Sequence, residues 1–308
     1  MAIRPLNLSD SLTKYLKYMD FVKSSSPLTL KAYKKDLEQA FDLKNSSSSL
    51  KKLKNLNEAE LLVLTREALN GWACLSLSSR NRKSATLKSF FNWAYQEQLT
   101  EKNLAIQITC PKVPKKIPHF LSVDEALAVL HSYDSKDVSL QNLRDKALFL
   151  VLYGAGLRVS EACNLEWADI QFSSRSLRLV GKGGKERLVI LPKLAIEILQ
   201  RLQRISNDKF VFAAAEALDP RVAYEWVRSR GAKAQLMKPL HPHALRHSFA
   251  THLLSSGANL RTLQELLGHE SLQATEKYTH LGIDQLAQTL ETYHPLSHLP
   301  SRKKAEGY

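Results

Sequence analysis

The chain has 308 residues, enough for two ordinary domains that each bury a core of their own. Its 44 Lys and Arg against 30 Asp and Glu leave a net charge of +14, an excess that suits a polyanionic partner, most commonly nucleic acid. A membrane-spanning helix is disfavoured, because the longest apolar stretch, Ala147 to Tyr153, falls far short of the roughly 20 residues such a helix requires.

The first residues show no basic-then-apolar signal pattern. The cysteines, Cys74, Cys110 and Cys163, are odd in number and never spaced C-x-x-C. A disulfide framework and a zinc ribbon are therefore disfavoured, and a cytoplasmic protein is expected.

Along the chain, the first hundred residues read as helices. Leu12, Tyr15, Leu16 and Met19 share one helical face. Leu30, Tyr33, Leu37 and Phe41 repeat the spacing after Pro27, a residue that suits a helix start. Leu87, Phe90, Phe91, Ala94 and Tyr95 form a third and stronger stripe, and all three read as core. Ser46 to Ser49 read as a surface connection. The segment Arg80 to Lys88 carries Arg80, Arg82, Lys83 and Lys88 ahead of an apolar helix and suits duplex DNA, with a solvated basic face as the plain alternative.

From Cys110 to Pro118 three prolines alternate with Lys112, Lys115 and Lys116, the pattern of an extended basic linker. Ser122-x-x-Glu125 is a capping box that opens the next helix, so a second domain begins near Leu121. There an apolar helix over Asp145 to Tyr153 stops at Gly154-Ala155-Gly156, and another begins near Leu157. Ser176 to Val180 and Arg187 to Leu191 flank Gly181-Lys182-Gly183-Gly184, a hairpin signal. Everything after Pro192 reads as helix. The expected fold is mainly α with a small β-sheet, in two domains: residues 1–110, a linker over 111–120, residues 121–295, and a tail over 296–308.

The unusual chemistry concentrates in His241-Pro242-His243-Ala244-Leu245-Arg246-His247. His243 and Arg246 are helical neighbours, and a planar guanidinium beside an imidazole suits a phosphate. His243 and His247 also have the spacing of a zinc pair, but Ala244 stands where H-E-x-x-H needs glutamate and no third ligand is obvious. A surface helix rich in histidine is the bland alternative. Gly268 suits a helix end and Ser271 the cap of the helix that carries Tyr278, a residue type that is usually core. Gly156-Leu157-Arg158-Val159-Ser160-Glu161 puts an arginine at a helix start, where free N–H groups favour an anion.

Together these pieces resemble the tyrosine recombinases. The resemblance rests on Arg158 in G-L-R-V-S-E, Lys182 in V-G-K-G-G-K-E-R, His243 and Arg246 in H-A-L-R-H-S-F-A-T-H-L-L, His269 in L-L-G-H-E, and Tyr278 in Y-T-H. It spans essentially the whole chain; P-L-T-L-K-A-Y-K-K-D-L and Ser84 to Tyr95 look like that family's core-binding domain. Within the family the bacterial Xer proteins, which resolve chromosome dimers, are most similar. The ending Thr292-Tyr293-His294-Pro295 leans toward the XerC branch rather than XerD.

The resemblance implies a helical core-binding domain and a mixed α/β catalytic domain. It implies that Tyr278 attacks the scissile phosphate, leaving a 3′-phosphotyrosyl bond and a free 5′-hydroxyl, and that a second exchange resolves a Holliday junction. Tyrosine, with a pKa near 10, is only about 0.1% ionised at neutral pH and needs help. Arg158, Arg246 and His269 would stabilise charge on the phosphate, Lys182 would protonate the leaving 5′-oxygen, and His243 would take the tyrosine proton. No cofactor or metal is implied. The implied partners are a double-stranded recombination site, a tetramer on DNA formed alone or with an XerD-like sister, and an FtsK-type DNA translocase. The terminal stripe Ile283, Leu286, Ala287, Leu290 and Tyr293 is expected to dock on a neighbouring subunit. Rival readings are a binding-only protein, a type IB topoisomerase, and a phage or mobile-element integrase.

Overall fold

The computed structural model describes residues 6–23, 25, 27–41, 54–114, 120–134, 136–180, 186–267 and 280–298. The chain divides into two compact units, Met1–Lys116 and Ile117–Tyr308. Among the described residues no helix is long and apolar enough to cross a membrane.

Among its described residues, unit 1 has four α-helices: α1 (Leu8–Phe21), α2 (Pro27–Ala40), α3 (Glu58–Gly71) and α4 (Leu77–Gln96). Each start has a local cause. Asn7 caps α1, Ser76 caps α4, and Asn57 with Glu60 closes a reciprocal box on α3 with bonds of 3.0 and 2.8 Å. The three stripes meet in one core, where Tyr15, Leu37, Phe90 and Phe91 are fully buried and the rings pack edge-on or tilted.

Three features depart from the sequence reading. A short antiparallel ribbon, β1 (Leu6–Asn7) with β2 (Lys54–Leu56), joins the helices. Tyr95 is exposed, because eight residues beyond Leu87 it has drifted about 80° off the buried face. The basic segment before the third stripe lies inside α4, and part of it is neutralised: Asp36, itself buried, takes a forked ion pair from Arg82 and a bond of 3.1 Å from Lys83. Lys83 also donates to Gln39 and lies 4.7 Å over the Trp72 ring, so it is core rather than free surface charge. Ser46 to Ser49, Lys115 and Lys116 lie outside the described residues.

Unit 2 opens with α5 (Val123–His131), where the Ser122–Glu125 box forms with bonds of 3.1 and 2.8 Å. Then come α6 (Leu140–Gly154), which starts earlier than its apolar run suggests, and the five-residue α7 (Val159–Cys163). A three-stranded antiparallel sheet follows in the order β3 (Ile170–Gln171), β4 (Ser176–Val180), β5 (Glu186–Ile190), with Leu179 opposite Arg187 and Val180 opposite Glu186. Among the described residues that follow, the α-helices are α8 (Lys193–Ile205), α9 (Pro220–Lys233), α10 (Pro242–Ser255), α11 (Leu260–Leu267) and α12 (His280–Tyr293). The apolar interior of α6 sits at the centre of the core, against α8 and α10.

The terminal helix corrects an expectation. Leu286 and Leu290 of α12 are buried in the core of their own unit, with Ala287 and Tyr293 packed against it. Glu291 pairs with Arg175 at 2.6 Å and Lys193 at 3.3 Å, holding the helix beside the sheet. An apolar stripe reports that a face is covered, and here α10, α11 and β5 of the same chain cover it.

Candidate active site

The site is organised by the turn between α6 and α7. Gly156 adopts φ +65°, and a Cβ there would stand 2.5 Å from the Phe249 ring on α10. Only glycine meets both demands. The turn leads directly to Arg158, the N-cap residue of α7, whose guanidinium is partly exposed.

α10 brings Arg246 to the same turn. One guanidinium nitrogen of Arg246 donates to the Gly156 carbonyl oxygen and another to the Leu267 carbonyl oxygen at 2.9 Å. Leu267 ends α11 two residues before His269. Burial, with Arg158 close by, pulls the Arg246 guanidinium down to about 10, against the opposing pull of Glu161. Like charges held close together at a partly exposed turn form a ready anion site. His243, in the first turn of α10, is exposed. That turn is capped by His241, whose Nδ1 accepts the Ala244 N–H at 3.0 Å, and the His241 ring stacks on Tyr224 of α9. His247 is exposed and meets the Phe120 ring edge-on.

Of the six residues singled out in the sequence, the structure brings Arg158 and Arg246 to one turn, with His243 one helical turn before Arg246 on α10. Lys182, His269 and Tyr278 lie outside the described residues. By sequence, Lys182 falls between the paired ends Val180 and Glu186 of the hairpin.

Two contributing residues escaped the sequence reading. Glu161 accepts the Arg158 backbone N–H at 2.8 Å and its guanidinium at 2.9 Å. The same carboxylate receives a two-pronged pair from Arg187 of β5, at 2.8 and 2.9 Å. Burial alone would raise the Glu161 carboxyl, but these cationic and N–H partners hold it below the usual carboxylate range. The spacing R-x-x-E was visible as a helix-start pattern; the Arg187 partner, 26 residues away, was not.

A buried network backs the site. The Tyr153 hydroxyl donates to His252 Nδ1 at 2.9 Å, and His252 Nε2 donates to the Leu121 carbonyl oxygen at 2.8 Å. His294 Nε2 donates to the Tyr153 carbonyl oxygen at 3.2 Å while its Nδ1 accepts the Leu296 N–H at 3.1 Å. These bonds fasten Leu121 to α10 and the turn after α12 to α6.

Residues 119–283 match the Phage integrase family, and residues 12–98 match its N-terminal SAM-like domain. The chain is 37% identical over 307 residues to the tyrosine recombinase XerC of Myxococcus xanthus, covering 94% of this chain and 99% of that one. It is 32% identical over 298 residues to the tyrosine recombinase XerD of Staphylococcus aureus, covering 92% and 98%. Among solved structures it is similar to the XerH site-specific recombinase bound to a palindromic difH substrate in a post-cleavage complex, with a TM-score of 0.61, 25% identity, and coverage of 92% and 84%. It shares the fold of a lambda integrase tetramer bound to a Holliday junction, with a TM-score of 0.62, 20% identity, and coverage of 93% and 78%.

Fold and relatives together define an enzyme that cleaves and rejoins DNA strands. The chain belongs to the tyrosine recombinase family, and XerC and XerD proteins are among its relatives over most of its length.

Proposed function

We propose that this chain is an Xer-type recombinase that resolves chromosome dimers at cell division, cutting each strand through a 3′-phosphotyrosyl intermediate and passing through a Holliday junction. The convergence of Arg158 and Arg246 on the Gly156 turn carries the reading, because it presents two guanidinium groups where a phosphate diester would gain charge in its transition state. Tyr278 attacks phosphorus, and the bond to the 5′-oxygen breaks. Lys182 gives its proton to that oxygen, His243 receives the tyrosine proton, and His269 donates to a phosphate oxygen. The bond energy is kept in the phosphotyrosyl ester, so rejoining needs no nucleotide.

Identity of 37% to a XerC protein over nearly the full length of both chains supports the XerC assignment. The lambda integrase relative is a tetramer on a Holliday junction, which supports a tetramer here, formed alone or with an XerD-like sister. An FtsK-type translocase is the matching trigger for a reaction confined to division.

The test incubates the full chain with a nicked suicide duplex of its own chromosomal resolution site. Wild type should give a covalent band whose peptide map ends on Tyr278, and Tyr278→Phe should bind the half-site and give none. Cleavage should persist in excess EDTA. A covalent band from Tyr278→Phe, or loss in EDTA that zinc restores, overturns the site. Efficient cleavage of a mobile-element junction but not of the chromosomal site overturns dimer resolution alone.

A further inference from the structure

We propose that Arg187 is a positioning residue for strand cleavage: it supplies the counter-cation that lets Glu161 orient Arg158 without cancelling its charge. The proposal rests on the reading above in which Arg158 meets the scissile phosphate.

The geometry sets a problem that Arg187 answers. Glu161 fixes Arg158 through two bonds, one to its backbone N–H and one to its guanidinium. A carboxylate 2.9 Å from a guanidinium would normally neutralise it, and a neutralised arginine attracts phosphate poorly. Arg187 changes the balance by gripping both oxygens of the same carboxylate, at 2.8 and 2.9 Å. Two guanidinium charges then share one carboxylate, and the cluster keeps a net positive charge beside Arg246. The sharing is unequal in the useful direction. The Arg187 side chain is 12% exposed and Glu161 14%, so their pair is shielded from water, whereas Arg158 is 45% exposed and can turn toward a ligand.

The placement on β5 adds a reason for an arginine rather than a lysine at this point. Arg187 pairs across the ladder with Leu179, and only the planar fork reaches both carboxylate oxygens from a fixed strand position. The hairpin root is thereby fastened to α7, and Glu161 cannot rotate away when Arg158 shifts its donors to a phosphate oxygen.

Single-turnover cleavage of a suicide half-site tests this, with half-site affinity and melting temperature measured on the same preparations. Arg187→Met should slow cleavage roughly 10- to 100-fold, the scale set by misplacing a charge-stabilising group, with affinity changed less than about threefold. Adding Glu161→Gln to Arg187→Met should recover a part of the lost rate, because an uncharged amide no longer captures Arg158. On a duplex whose scissile phosphate is a neutral methylphosphonate, the Arg187→Met defect should shrink. A double variant no faster than Arg187→Met, or an undiminished defect on the methylphosphonate, overturns the proposal.

If Arg187→Met does not fold, Arg187→Lys and Arg187→Gln carry the test. Lysine keeps the cation and should cleave at least about tenfold faster than glutamine; equal rates overturn the proposal. Arg158→Ala separates the two levels. Near wild-type cleavage by Arg158→Ala defeats the phosphate reading itself. Loss in Arg158→Ala alongside wild-type rates in every Arg187 variant defeats only the role of Arg187.

Discussion

Arg246 of α10 donates a guanidinium hydrogen bond to the carbonyl oxygen of Gly156, the residue that turns the chain toward Arg158. Three residues on, Phe249 of the same helix closes over that glycine's Cα. One helix therefore supplies an arginine and also fixes the turn that aims the other. The arrangement is unforgiving, since φ +65° strains any side chain and the ring leaves no room for a methyl group.

Gly156→Ala should accordingly destabilise unit 2 by about 1–3 kcal/mol and displace the Gly156 carbonyl oxygen from Arg246. Cleavage should fall by more than the loss of folded protein accounts for. Denaturant melts beside single-turnover rates at a temperature where the variant is folded check this; a variant that is destabilised yet cleaves normally would show that the turn does not aim Arg158.

In unit 1 the pair to test is Asp36 and Lys83. The Asp36 side chain is buried and accepts from Arg82, Lys83 and the Thr86 hydroxyl. Removing one member of a buried pair leaves the other charged and unpaired, at a cost of about 3–5 kcal/mol. Asp36→Ala should lower stability on that scale, and adding Lys83→Met should restore much of it. An equal loss in the single and double variants would mean that Lys83 was not the stranded charge.

His294 gives the pH dependence a definite sign. It is fully buried, and desolvation, with His252 and His298 as weaker like-charge neighbours against the bond to Tyr153, pushes its pKa down to about 3. Folded His294 therefore stays neutral while the unfolded residue, near 6.5, takes up a proton. The unfolded state binds more protons in that window, so the full stability is present above pH 6.5 and is lost as pH falls from there toward 3. The slope from this residue is on the order of 1.4 kcal/mol per pH unit. Urea melts of wild type and His294→Asn at pH 7 and pH 5 should show a shallower fall in the variant, whose amide does not titrate. Parallel lines would remove His294 from the acid response.

What the sequence disclosed follows a physical rule. Signals carried by neighbouring residues were legible: the Ser122–Glu125 box, the hairpin strands beside Lys182, the glycine turn before Arg158, the placing of His243 and Arg246 on one helix. Partners far apart in the chain were not. Lys83 looks like a surface cation until Asp36, 47 residues earlier, is seen beneath it. Arg187 reads as a strand residue until its side chain is seen on Glu161. Periodicity showed that α12 has an apolar face, yet it is silent about which chain covers that face.

The terminal helix yields the last prediction. Leu290 is 1% exposed and Leu286 4%, both in the core of unit 2, and His294 locks the following turn to Tyr153. Truncating a leucine at such a site removes its transfer free energy and leaves a cavity, together about 2–5 kcal/mol. Leu290→Ala should therefore lower the unfolding free energy of the isolated monomer by that amount. At temperatures where the variant is still folded, filling of the second half-site should remain as cooperative as in wild type. Glu291→Gln loosens only partly exposed ion pairs and should change stability by less than about 1 kcal/mol. A helix that docked on a neighbour would behave in the opposite way: Leu290→Ala would leave the monomer melt untouched and abolish cooperative filling. Monomer melts and gel-shift titrations on one- and two-half-site duplexes separate these outcomes, because in cis the leucine stabilises the fold, and in trans it would stabilise only the assembly.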